Sequence, residues 1–145
     1  MGRSAIKVKG LNQLLRKLEE LGSKRQCATT LRKAARAGIG PIVKAEKANC
    51  PVDKGALKRS LDRKITGHDY RISAIAGADI NYTEGDERPG RYDHLVIRGH
   101  ATEDGGMVQP NDFISRAAEQ AGADSQAKYV EKLQSEIEKI ALKNK

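Results

Sequence analysis

Apolar residues recur at helical spacing near both ends of the chain and alternate with polar ones in its middle. Leu11, Leu14, Leu15, Leu18 and Leu21 stand three or four apart, the spacing of one helix face, and Gly22 follows where a C-terminal cap belongs. A strand-like alternation, Ile6 and Val8 among Ser4, Lys7 and Lys9, leads into it through Gly10. Ser23 with Gln26 three positions on predicts a capping box at the start of a second helix. Its apolar face, Leu31, Ala34, Ala35, Gly38, Ile42 and Ala45, is small, and its small residues let another backbone come close. Gly38, Gly40 and Pro41 predict a kink, because proline removes a donor and crowds the preceding turn. Pro51 ends the helix by forcing Cys50 toward extended geometry.

The stretch NCPVDKGALKRSL then reads as a loop. From Ser60 the period falls to two: Leu61, Arg63 and Ile65, a turn at Gly67, His68 and Asp69, then Tyr70, Ile72, Ala74 and Ala76 opposite Arg71, Ser73 and Ile75. That pattern predicts a β-hairpin. Residues 82–91 read as a long exposed loop, YDHLVIRGH (residues 92–100) as a further strand, and residues 101–111 as a second loop with Gly105 and Gly106 at its tip. Asn111 or Asp112 caps a final helix, which begins with Phe113, Ile114, Ala117, Ala118 and Ala121. Val130, Leu133, Ile137, Ile140 and Ala141 extend its face beyond a break near Gly122, before a frayed tail at Lys143, Asn144 and Lys145. The expected fold class is α+β: N-terminal helices and a long C-terminal helix packed on a small antiparallel β-sheet, with residues 1–145 as a single domain.

Aromatic residues are few, Phe113 and four tyrosines, so the core must be built from Leu, Ile, Val and Ala. So thin a core is expected to finish burying its apolar faces against other copies of the chain. Cys27 and Cys50 stand 23 positions apart in no Cys-x-x-Cys pair, and are read as buried thiols rather than metal ligands. No apolar run suits a leader or a membrane span, so a soluble protein acting on the cytoplasmic side is expected, with no membrane partner.

Charge is unevenly placed. Residues 1–64 hold 17 Lys+Arg against 5 Asp+Glu, a net +12, while residues 65–145 hold 10 against 14, a net −4. Lys24, Arg25, Arg32, Lys33, Arg36, Lys44 and Lys47 lie on or beside the second helix and suit phosphates. The asymmetry suits either a nucleic-acid face or a head-to-tail match between subunits. No base-reading motif is present, and the few aromatics leave little for bases to stack on.

Catalytic signatures are missing from the sequence: no G-x-S-x-G, H-E-x-x-H or phosphate-binding loop occurs, and Ser, Cys, His and Asp are scattered. On a strand His94 and His100 would share a face roughly 20 Å apart at about 3.3 Å per residue, too far to share a metal. The expectation is no catalytic residue, no metal and no cofactor.

Three separated segments resemble a known family in order: IKVKGLNQLLRKLEEL, then CPVDKGALKRSL, then YDHLVIRGH followed by PNDFISRAAE. Together they resemble the tail-completion or neck (head–tail joining) proteins of long-tailed bacteriophages, the gene-product-ten-like family of lambda-like phages. The carried positions are Val8, Gly10 and Leu11; Pro51, Gly55, Leu57 and Ser60; Tyr92, His94, Leu95, Val96 and Gly99; and Pro110, Phe113 and Ala117. Ile97 stands where the family has Glu, His100 where it has Thr, and Asn111 and Asp112 separate Pro110 from Phe113.

The resemblance implies a non-enzymatic virion protein of a phage or prophage, made in the host bacterial cytoplasm and then part of the virion. It implies a ring of identical subunits, hexameric in the family, docked to the head-side connector and to tail-terminator or tail-tube proteins, with DNA passing through. The alternative is a basic protein that binds nucleic acid non-specifically on its own. Under the first reading the two loops carry docking contacts and become ordered only against a partner, through Glu84, Arg88, Glu103, Asp104 and Met107. The small-residue face around Ala34, Ala35 and Gly38 is the other candidate for docking.

Overall fold

The computed structural model describes residues 10–52 and 55–143. The strand-like lead at Ile6 and Val8, Asp53 and Lys54 of the first loop, and Asn144 and Lys145 of the tail lie outside the described residues. The fold is α+β, with helices α1 (Leu11–Leu21), α2 (Lys24–Asn49), α3 (Ala56–Ser60), α4 (Asp93–Arg98) and α5 (Phe113–Lys143). Strands β1 (Leu61–His68) and β2 (Arg71–Ala78) form one antiparallel hairpin, and β3 (His100–Ala101) and β4 (Met107–Val108) a second, smaller one.

Helices α2 and α5 pack along most of their lengths, with α1 and the β1–β2 hairpin laid against them. The close approach comes from the small residues of α2. A Cβ added at Gly38 would sit 3.0 Å from Tyr129 Cβ and 3.3 Å from the Ser125 carbonyl. Both ends of α2 are set by local chemistry. Ser23 and Gln26 form the reciprocal capping box at 3.3 and 2.9 Å, and the helix ends at Asn49, ahead of Pro51. The expected kink is not accompanied by a break: α2 runs unbroken through Pro41. Its long contact with α5 offsets the bond that proline cannot make.

Two apolar clusters sit at opposite ends of this helix pair. One joins Leu18, Cys27, Leu31, Ala34, Leu133, Ile137 and Ile140 from α1, α2 and α5. The other joins Cys50, Leu57, Leu61 and Phe113, with Tyr92, Val96, Ile97 and Ile114 packed around them. Burying one such leucine is worth about 1.5–3 kcal/mol, so each cluster is a substantial fraction of a domain's net stability.

The structure corrects several sequence expectations. YDHLVIRGH is not a strand: its central residues form α4, opened by the Leu95 N–H donating to the Tyr92 carbonyl at 2.9 Å. Tyr92, Asp93, Val96 and Ile97 turn inward while His94, Leu95 and Arg98 face water, a helical period that a short apolar run hides. His94 and Val96 therefore do not share a face. Ser60 closes α3 rather than opening a strand, its hydroxyl donating to the Leu57 carbonyl at 2.6 Å. The hairpin stands as expected, but its turn lies at Asp69 and Tyr70, with Asp69 at φ 52. The break near Gly122 is absent, and α5 runs as one helix. Asp112 is its cap, accepting the Ser115 N–H at 3.0 Å.

Residues 82–91 are not a long exposed loop either. Glu84 and Glu87 exchange backbone hydrogen bonds at 3.0 Å, a 3-10 turn follows at Pro89–Arg91, and Pro89 is buried. Gly90 lies so close to Ile80 that a Cβ there would stand 2.7 Å from the Ile80 Cα. This segment is fastened to the body of the fold without any partner.

Candidate functional site

Two of the three segments that carry the family resemblance meet in space. Cys50, Leu57 and Leu61 come from CPVDKGALKRSL, Tyr92 and Val96 from YDHLVIRGH, and Phe113 from PNDFISRAAE, and all belong to the second apolar cluster. Two links fix their relative positions. The Asn111 N–H donates to the Val96 carbonyl at 3.0 Å, and Gly99 packs against the chain around Val108 and Pro110. Gly99 holds φ 74 and ψ 164, where a side chain is strained, so glycine is required on both steric and conformational grounds.

Above this cluster lies a groove of about 460 Å³, lined by Pro51, Val52, Leu57, Tyr92, Val96 and Val108. Glu87 stands in its wall and accepts a hydrogen bond from the Tyr92 hydroxyl at 3.3 Å. Gly55, at φ 83, opens α3 beside it. Among the described residues that line it, the groove is apolar but for the Glu87 carboxylate.

Gly10 and Leu11, from the first resemblance segment, stand apart from the groove, at the start of α1, whose Leu11 packs on the first cluster. His94 is exposed on α4, its backbone N–H bound to the Asp93 carboxylate at 2.8 Å. His100 starts β3 with Nδ1 3.4 Å from the Leu95 carbonyl. Among the described residues no three His, Cys, Asp or Glu side chains are grouped as a metal site would need, and no helix is long and apolar enough to cross a membrane.

The expected docking residues fall into two environments. Glu84 is held within the fold, its carboxylate taking the Arg59 guanidinium at 2.5 and 2.8 Å and the Tyr82 hydroxyl at 2.9 Å. The Arg59 and Tyr82 bonds hold its carboxyl below the usual range. Arg88 is exposed just before the 3-10 turn. Glu103, Asp104 and Met107 project on the β3–β4 hairpin, with Met107 69% exposed. The hairpin tip is ordered by its own bonds: Asp104 accepts from the Thr102 hydroxyl and the Gly106 N–H, which lowers its pKa. The face of Ala34, Ala35 and Gly38 is buried, so it is not open to a partner.

Both cysteines are free and buried, and burial pushes both thiols up, Cys50 to about 11. Neither is a ready thiolate at neutral pH. Two acids escaped the sequence reading. Glu46 is only 1% exposed, has an Oε2 without a hydrogen-bond partner, and is pushed up to about 7 by burial. Glu136 is buried beneath Lys33, Lys132 and Lys139. Both stand at helical spacing from apolar neighbours, Ile42 and Cys50 for one and Leu133 and Ile140 for the other, and that spacing was the available signal.

Comparison of the chain with family models, with curated proteins and with solved structures finds no match.

Proposed function

We propose that this chain is a non-enzymatic structural protein of a tailed phage or prophage, a tail-completion or neck subunit that forms part of the head–tail connection. The observation that carries the reading is the convergence of two of the three resemblance segments, CPVDKGALKRSL and YDHLVIRGH with its following PNDFISRAAE, on one buried cluster. Motif residues that pack on each other are what a shared fold would need, and Leu57, Tyr92, Val96 and Phe113 do so. Apolar side chains left in water, Ile75, Ile80, Met107 and Val52, suit a subunit that completes its burial against neighbours.

In this reading the subunits close into a ring, hexameric as the resemblance implies, made in the host cytoplasm and retained in the virion. Its partners are the head-side connector and the tail-terminator or tail-tube protein. The β3–β4 hairpin is the docking element, because its Glu103, Asp104 and Met107 are exposed on an ordered support. Replacing residues 103–107 by a short Gly-Ser linker is expected to leave a folded protein but give separated heads and tails in a complementation assay. Normal infectious particles from that variant would rule the hairpin out. Native mass spectrometry with and without tail-tube protein tests the ring itself, and a chain that stays monomeric in both would count against the reading.

A further inference from the structure

We infer that the outer face of α2, completed by Arg63 from β1, is a binding surface for the phosphate backbone of duplex DNA. Arg25, Arg32, Arg36 and Lys47 fall within about 60° of one another around the helix axis at 100° per residue. They lie opposite the face that buries Cys27, Ala34 and Gly38. Between Arg36 and Lys47 the stripe has a gap at Gly40, and Arg63 fills it. The Arg63 guanidinium donates to the Arg36 carbonyl at 3.1 Å and lies 3.7 Å from where a Gly40 Cβ would be. Five cations therefore run in a line, at about 0, 10, 16, 22 and 33 Å along the helix at 1.5 Å per residue.

Among the described residues no carboxylate pairs with these charges. The ion pairs there engage Lys33, Arg59, His68, Lys132 and Lys139, and none of the five. Arg32 and Arg63 are instead braced on backbone carbonyls, of Gly67 and Arg36, which positions a guanidinium and leaves its charge and most of its donors free. The one acid of α2, Glu46, is buried, and Asp62 of β1 is the acid next to Arg63 in sequence.

The form of the stripe selects the ligand. A line along a duplex crosses each strand once per turn of about 34 Å. The ends of a 33 Å stripe thus meet one strand a turn apart, and its middle meets the other. No aromatic side chain lies on it, which disfavours single strands, bound largely by stacking, and a protein partner, whose contact would centre on aromatic and apolar anchors. This surface is independent of ring formation, since one subunit carries all five residues.

The test is fluorescence anisotropy of a labelled 24-base-pair duplex of arbitrary sequence. Five phosphate contacts predict binding that weakens about 500-fold between 50 and 200 mM salt, with a log–log slope of about −4.5. Arg25, Arg36 and Lys47 make no side-chain bond among the described residues, so R25Q/R36Q/K47Q is expected to fold and to flatten the slope by about 2.7. The off-stripe triple K17Q/K58Q/K128Q, with the same loss of charge, is expected to keep the parent slope. Equal losses in the two triples would overturn the site, as would absent binding at 50 mM, equal affinity for a 24-base single strand, or salt-sensitive self-association without duplex binding. A monomer that binds duplex sinks the ring reading alone, and a ring that does not bind it sinks this one alone.

Discussion

Lys33 on α2 places its Nζ 3.2 Å from Oε2 of Glu136 on α5, and so ties the two long helices across 103 positions of sequence. Lys139 and Lys132 hold the other oxygen at 3.1 and 3.3 Å. Burial alone would raise this carboxyl, but the bonds from Lys139, Lys33 and Lys132 outweigh it and bring it down to about 2. A depressed acid contributes stability above its unfolded pKa of about 4.3 and loses it as pH falls toward the folded value. Between about pH 4.5 and 2 the protein is expected to lose about 2 kcal/mol from this group, allowing for water around the three lysines. Urea titrations across that range should show the loss in the parent and a flatter profile in Glu136→Gln.

Glu46 predicts the opposite slope. Its folded pKa of about 7 lies above the unfolded value, so the folded state holds the proton more tightly and stability falls as pH rises from about 4.5 through 7. The loss is about 3 kcal/mol. Glu46→Gln removes the charge at every pH and should abolish the decline between pH 5 and 8 in thermal melts. A parent whose melting temperature is level over that interval would mean that Glu46 finds a counter-charge.

Leu57 is 6% exposed among Cys50, Leu61 and Phe113. Leu57→Asp puts an unpaired carboxylate into that cluster and is expected to destabilise the protein by about 2–5 kcal/mol, or unfold it. Thermal melts indistinguishable from the parent would reject the cluster as the anchor of the motif segments.

At Gly99 a Cβ would stand 2.5 Å from the Val108 carbonyl oxygen and 2.9 Å from the Pro110 nitrogen. Gly99→Ala combines that clash with a strained φ, and is expected to cost about 2–4 kcal/mol and to release the β3–β4 hairpin. Hydrogen exchange reads this directly, because the Asn111 amide bound to Val96 should lose protection in the variant. Unchanged protection there would show that the backbone can yield at this point.

The chain alone determined the elements that carry their signal locally. The leucine spacing of α1, the Ser23–Gln26 box of α2, the alternation of β1 and β2 and the long amphipathic α5 are each recognisable within a few turns of sequence, because propensity and caps act between near neighbours. The burial of Cys27 and Cys50 was legible for the same reason, as small apolar residues without partners in a motif.

Tertiary structure decided what depends on contacts between distant residues. The run from Tyr92 to Arg98 suits a strand or a helix by composition, and its place against Leu57 and Phe113 selects the helix. Glu84 reads as a free surface acid until Arg59, 25 positions earlier, lies against it. Arg63 joins the basic stripe of α2 only because β1 brings it over Gly40, and Glu46 and Glu136 become a buried pair of opposite character only because α5 and the hairpin cover α2. Local order is written in short-range spacing, whereas which charge is neutralised, buried or left facing water depends on long-range packing that no single stretch of sequence contains.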